Sequence, residues 1–208
     1  LYQLAQSGAS GGLVDLLILR DETGAYNGYS GDVSSIIAAL GFIGGALAVW
    51  STAKLLITKN KEDMHLSHLK KEGKAKYALL VAVTIGAVIG FNLLFELLGV
   101  TNKSEAYTEV ASQQYSAHFM VGILVFGFIS PIAEELLFRG VIYGYLRRFM
   151  DIKLAIALSA LIFGVYHMNY VQGVYGFLIG CLMAYAYEYF GEFKMAVFVH
   201  VASNVLAY

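Results

Sequence analysis

The sequence predicts an all-α fold, a polytopic bundle of transmembrane helices. Three observations carry the prediction. Hydrophobic residues make up 58% of the 208-residue chain and charged residues only 14%, against about 25% in an ordinary soluble domain. Mean hydropathy is +0.64. The apolar residues gather in long runs separated by short polar segments, the pattern of membrane spans. A net charge of −1 gives no electrostatic footprint for nucleic acid, so nucleic acid is set aside as a partner and the lipid bilayer is the expected surrounding. The single cysteine, Cys181, sits in an apolar run and cannot form an intrachain disulfide.

The elements follow in chain order. Residues 1–33 are mixed. Their apolar part, Leu13 to Leu19, is too short to span and is interrupted by Asp15, so an N-terminal loop with part of a helix is expected. Six spans come next. Ser34–Thr58 is the first, with Lys54 placed to snorkel. Tyr77–Val100 is the second and Phe119 to about Leu146 the third. Leu154 to about Tyr170, Val171–Phe190 and Met195–Tyr208 complete the set. At ~1.5 Å per residue the last reaches only ~21 Å, short of a ~30 Å hydrocarbon core. The chain also opens on Leu1 instead of Met, so lost terminal segments are expected; no signal peptide is read at this start. Three regions result: 1–33, a loop with a partial helix; 34–118, two spans joined by a basic loop; and 119–208, a four-helix core.

Loop charges orient the bundle. Residues 59–76 hold six lysines against Glu62, Asp63 and Glu72, and residues 147–153 hold Arg147, Arg148 and Lys153 against Asp151. The segment 101–118 has one lysine and two glutamates. Positive charge stays on the cytoplasmic side, which puts the first two segments inside and the third outside. His65 and His68 then belong to a solvated basic loop and His118 to the outer boundary. Glu96 and Glu188 fall near span ends, where solvation is the default.

The chemistry concentrates in the third span. Glu134 and Glu135 stand side by side in an otherwise apolar run, where each carboxylate costs about 2.5–3.5 kcal/mol at the bilayer centre. Glu135 and Arg139, four apart, share a helical face and form a natural ion pair. Glu134 lies about 140° from Arg139 around the axis and has no local partner. It is therefore assigned to chemistry as a general base or acid, with Glu135 and Arg139 in support. The alternative is a buried cluster that only holds structure. Pro131, the only proline, removes a helical hydrogen bond and would open space and a free carbonyl beside Glu134.

Two later spans add polar pairs. Phe163 and His167 lie on one helical face. His167 is fourteen residues after Lys153 and Glu134 is fourteen before Arg148, so both sit ~21 Å from one boundary. A lone histidine in an apolar helix is often only structural; level depth favours a working role. His200 and Asn204, four apart, offer donors on one face, suited to an oxyanion or to gluing helices together. His200 is only ~9 Å past Lys194, so the last helix must start deep, tilt, or enter through a partly buried turn at Gly191. Gly176 and Gly180 read as a close-packing pair. The tyrosines at 166, 170, 175, 185, 187 and 189 read as interface or packing aromatics.

Taken in order on successive spans, Glu134-Glu135-x-x-x-Arg139, Phe163-x-x-x-His167 and His200-x-x-x-Asn204 resemble the CPBP family, that of CAAX prenyl endopeptidases and bacteriocin-processing or bacteriocin-immunity (Abi) proteins. The resemblance covers about Phe119 to Tyr208. It implies an intramembrane glutamic endopeptidase in a prokaryotic cell membrane, acting on a peptide or protein that enters a polar cavity among the third to sixth spans. On that analogy Glu134 activates a water with help from His167. His200 and Asn204 steady the tetrahedral oxyanion, and Glu135 and Arg139 hold the geometry. No cofactor and no metal are implied. Prenylated C-termini, double-glycine leaders, pheromone precursors and membrane-protein tails are all compatible substrates.

Two other functions fit the same residues. His167, His200 and Glu134 could ligate zinc, although HExxH is absent and Asn204 is a poor zinc ligand. Buried Glu–Arg and His groups also suit a non-proteolytic immunity or transport protein with a proton path.

Overall fold

The computed structural model describes residues 2–16, 31–63 and 72–208. Among the described residues eight helices make up the fold and no strand occurs. They are α1 Tyr2–Leu16, α2 Gly31–Asp63, α3 Lys74–Leu97, α4 Glu105–Tyr115, α5 Phe119–Leu146, α6 Ile152–Tyr166, α7 Tyr170–Phe190 and α8 Phe193–Ala207. The histidines His65 and His68, and Leu17 to Leu19 of the N-terminal apolar stretch, lie outside the described residues.

Among the described residues three helices are long and apolar enough to cross a membrane: Gly31–Glu62, Lys74–Leu97 and Phe119–Leu146. The chain is a multi-pass membrane protein. Six spans were expected, the last of them short, and in the structure the fourth is short as well. Helices α6 and α8 have 15 residues each, so they run only ~22 Å. Side-chain caps fix the starts of α6 and α7. The carboxylate of Asp151 accepts from the backbone amides of Lys153 (2.9 Å) and Leu154 (3.2 Å) at the start of α6, and Asn169 accepts from the amide of Gln172 (2.9 Å) at the start of α7. Gly191 ends α7 in the left-handed conformation, φ 64°, the usual glycine stop. It is buried, so of the three entries considered for the last helix the buried turn at Gly191 is present.

Helix α1 begins at Tyr2, well ahead of the apolar stretch that starts at Leu13. Helix α1 lies against α2 through small residues. A Cβ on Gly44 would come within 2.7 Å of Ala9, and one on Gly45 within 2.7 Å of the Tyr2 ring. Close approach of backbones, not a long apolar run, seats this helix. The segment 101–118 is likewise no plain loop. It holds a short 3₁₀ turn, Thr101–Lys103, and α4, whose first turn is capped by Ser104 accepting from the Tyr107 amide at 3.2 Å.

Helix α5 is the axis of the bundle. It packs on α2 where Gly140 faces Ala53 and where the amide of the buried Asn60 donates to the Gly144 carbonyl at 2.8 Å. The core beside it gathers Phe138, Tyr143, Ile179, Met183, Tyr187 and Val199. Glu188, read from sequence as solvated, instead accepts from Tyr143 Oη (2.6 Å) and Arg147 Nη2 (3.0 Å). Its carboxylate faces inward across the α5–α7 contact, so it ties two helices together.

The two ends of the bundle differ in charge. Lys59, Lys61, Arg147, Arg148, Lys153 and Lys194 lie at one end. At the other, Asp32 accepts from the backbone amide (2.6 Å) and Nδ1 (2.9 Å) of His118, with Glu105 and Glu109 nearby on α4.

Candidate active site

The site grows out of irregular turns in α5. Two stretches of this helix, Ile123–Ile129 and Leu136–Tyr143, are wound as wider π turns. The amide of Ser130 donates five residues back, to the Val125 carbonyl. In that register residue 131 would serve Phe126, but Pro131 has no N–H. The Phe126 carbonyl is released and accepts from the side-chain amide of Asn204 at 2.9 Å. Wide turns of this kind bulge a helix and recur at functional sites.

Between the two wide stretches lie Glu134 and Glu135, both buried. The hydroxyl of Ser130 donates to Glu134 Oε1 at 2.6 Å. Glu135 points elsewhere. Its Oε1 accepts from Arg139 Nη1 (2.8 Å) and from His200 Nδ1 (2.9 Å). Arg139 is fully buried. It lies 4.7 Å over the Phe163 ring and donates through Nη2 to the Gly180 carbonyl at 3.0 Å. A Cβ at Gly180 would come within 3.1 Å of that guanidinium, so the glycine makes room for the charge. Arg139, Glu135 and His200 therefore form one chain of charge-assisted bonds.

The ring of His200 is fixed by that chain. Its Nδ1–H is used on Glu135, and its Nε2 lies 3.7 Å from Glu134 Oε2, beyond hydrogen-bond reach. The Phe163 ring stands edge-on to His200 at 5.3 Å and to His167 at 4.8 Å. His167 caps the end of α6, and its Nδ1 is 2.9 Å from the Phe163 carbonyl. A carbonyl only accepts, so Nδ1 carries the proton and the Nε2 lone pair of the neutral ring is free.

Glu134, His167, His200 and Asn204 line a single cavity of about 410 Å³, with Ser130, Phe126 and Phe163 on its walls. This is an ordinary size for a ligand site. The walls reach further than the four C-terminal spans expected from sequence. Ser34, Ser35 and Phe42 of α2, Asn92 and Phe95 of α3, and Tyr107 of α4 also face it. Helix α7 passes beside it, with Gly176 placed so that a Cβ there would be in ordinary contact, 3.5 Å, with the His167 ring.

Sequence reasoning missed Ser130 and the Asn204 partner of the freed Phe126 carbonyl. Ser130 carried a signal, a hydroxyl four residues ahead of Glu134 and so on its face. Among the described residues no three His, Cys, Asp or Glu side chains are grouped closely enough to hold a metal ion.

No curated protein and no solved structure matches the chain. Residues 116–206 match the family model described as Type II CAAX prenyl endopeptidase Rce1-like. The matched stretch starts just ahead of α5 and ends within α8, so it contains all three motifs. Over residues 116–206 the chain is thus similar to the CAAX-type membrane endopeptidases, the family its motifs resemble.

Proposed function

We propose that the protein is an intramembrane glutamic endopeptidase that hydrolyses a peptide bond in the cavity between α5, α6 and α8. The observation that carries the proposal is the convergence of Glu134, His167, His200 and Asn204, from three helices, on one cavity. The CAAX-type family match supports membrane proteolysis in general. On this reading residues 119–208 are the catalytic core, and 1–33 and 34–118 frame it.

Glu134 takes a proton from a water, and the oxygen of that water adds to the substrate carbonyl carbon. Ser130 donates to one carboxylate oxygen and leaves the other for the water. His167, whose Nδ1–H is spent on the Phe163 carbonyl, offers Nε2 as a second acceptor for the same water. The tetrahedral oxyanion receives the second N–H of the Asn204 amide, the first being used on Phe126, and the Nε2–H of His200 when that ring carries both protons. On collapse of the intermediate the C–N bond breaks and Glu134 returns its proton to the leaving amine. Glu135 and Arg139 act as positioning residues by holding the His200 ring.

The test is Glu134→Gln. Peptides from membranes of cells making the wild type are compared by mass spectrometry with those from cells making the variant. A cleavage product present only with wild type supports the assignment; identical peptide profiles from equally abundant proteins would sink it.

A further inference from the structure

The cavity has a direction. Its floor is the buried group of Ser130, Glu134, Phe163 and His200. Its rim is formed by residues from the other end of the helices: Ser34 near the start of α2, Thr101, Gln114 in α4, Gln172 at the start of α7 and Tyr208 after α8. Ser34 and Tyr115 on this rim are exposed. None of the basic residues at the opposite end of the bundle, Lys59, Lys61, Arg147, Arg148, Lys153 or Lys194, lines the cavity. A separate, smaller depression is found there, bounded by Lys61, Glu192 and Lys194.

The rim lies at the end where Asp32 clasps His118 and where Tyr208 Oη donates to the Gln114 carbonyl at 3.1 Å. That is the end poor in lysine and arginine. Positive loops are retained on the cytoplasmic side of a membrane. The cavity therefore runs from mid-bundle toward the non-cytoplasmic face, with α4 lying along its mouth. Hydroxyls and carboxamides at the rim, and tyrosines at positions 107, 115, 175 and 208, can bond an extended backbone while bearing no charge of their own.

We infer that the substrate reaches the active site from the non-cytoplasmic face, which makes it an exported or membrane-inserted polypeptide that presents an uncharged stretch on that side. The substrate class rests on the peptidase reading above; the side of the opening does not.

The two are separated by a labelling experiment in a Cys181→Ser background. Single cysteines are placed at the rim, Ser34→Cys and Thr101→Cys, and at the basic end, Lys61→Cys and Lys153→Cys. Intact cells are treated with a membrane-impermeant maleimide. The rim positions are expected to label in intact cells, and the basic-end positions only after permeabilisation. Rim cysteines that label only after permeabilisation overturn the inference. Thr101→Cys gives the same reading should Ser34→Cys fail to accumulate. Once a cleavage product is known, modifying the rim cysteine from outside is expected to abolish its formation, and unaltered cleavage by fully modified protein overturns this entry route. Rim labelling as expected in a protein that cleaves nothing would leave the opening in place and remove the peptidase reading instead.

Discussion

The side-chain amide of Asn204 donates to the backbone carbonyl of Phe126 at 2.9 Å. The bond joins α8 to α5 at the one carbonyl that Pro131 leaves without its helical donor. A proline in mid-helix is a defect in isolation, costing about 3 kcal/mol. Here the carbonyl it frees becomes the anchor of a cavity residue. The same carboxamide keeps a second N–H for the cavity, so structure and proposed chemistry draw on different hydrogens of one group.

This relationship predicts coupling between Pro131 and Asn204. Asn204→Ala removes a donor and leaves the Phe126 carbonyl unpaired, a loss of roughly 1–3 kcal/mol. Pro131→Ala restores an amide that can serve the same carbonyl in the i−5 register. The cost of Asn204→Ala should therefore shrink in the Pro131→Ala background, by about 0.5 kcal/mol or more. Unfolding midpoints of the four proteins in detergent measure the cycle; strictly additive values would contradict the link.

Ser130→Ala tests the orientation of Glu134. A hydrogen bond to a charged group is worth roughly 1.5–3 kcal/mol, and the hydroxyl sits 2.6 Å from Oε1. If that bond sets the carboxylate for the water, kcat should fall by roughly tenfold to a hundredfold with KM little changed. Ser130→Thr, which keeps the hydroxyl, should recover most of the rate. Equal rates for all three proteins would show that Glu134 is held by something else.

Legibility divided along physical lines. Helical spacing was enough for the Glu135–Arg139 pair, because i and i+4 meet on any regular helix, and it put Phe163 and His167 on one face. The released carbonyl beside Glu134 was expected from Pro131 alone. Its partner was not, because a contact between residues 126 and 204 is set by how two helices dock, which no local pattern encodes. The bond from His200 to Glu135 was hidden for the same reason. The start of α1 at Tyr2, ahead of the apolar stretch, was not legible, since the helix is seated by Gly44 and Gly45 against Ala9 and Tyr2, and small-residue contacts leave no hydrophobic period. The inward turn of Glu188 depended on Tyr143 and Arg147 of another helix, which its place near a span end could not reveal.

Gly180→Ala should be destabilising beyond ordinary helix propensity, which by itself favours alanine. The added methyl would lie 3.1 Å from Arg139 Nη2 and 3.2 Å from the Ala160 Cβ. Overpacking of this kind costs about 1–3 kcal/mol. Gly86 is a control on α3, with open space where its Cβ would stand. Thermal midpoints should fall for Gly180→Ala and hold or rise for Gly86→Ala.

The buried ion pair offers the strongest separation of structure from chemistry. Glu135 and Arg139 are both fully buried, and removing one partner strands the other charge, at about 3–5 kcal/mol. Arg139→Met should therefore be more damaging than its lost contacts suggest, because Glu135 keeps its charge with only His200 to share it. The double variant Glu135→Gln, Arg139→Met removes both charges and leaves a neutral acceptor for His200 Nδ1. Its unfolding midpoint should lie above that of Arg139→Met alone. Its activity should stay low, since position 135 then carries no charge beside a ring that, on the proposed mechanism, must carry both protons to donate through Nε2. Recovered stability without recovered cleavage is the expected result, and it assigns the pair to holding His200. Full activity in the double variant would mean that the pair serves folding only.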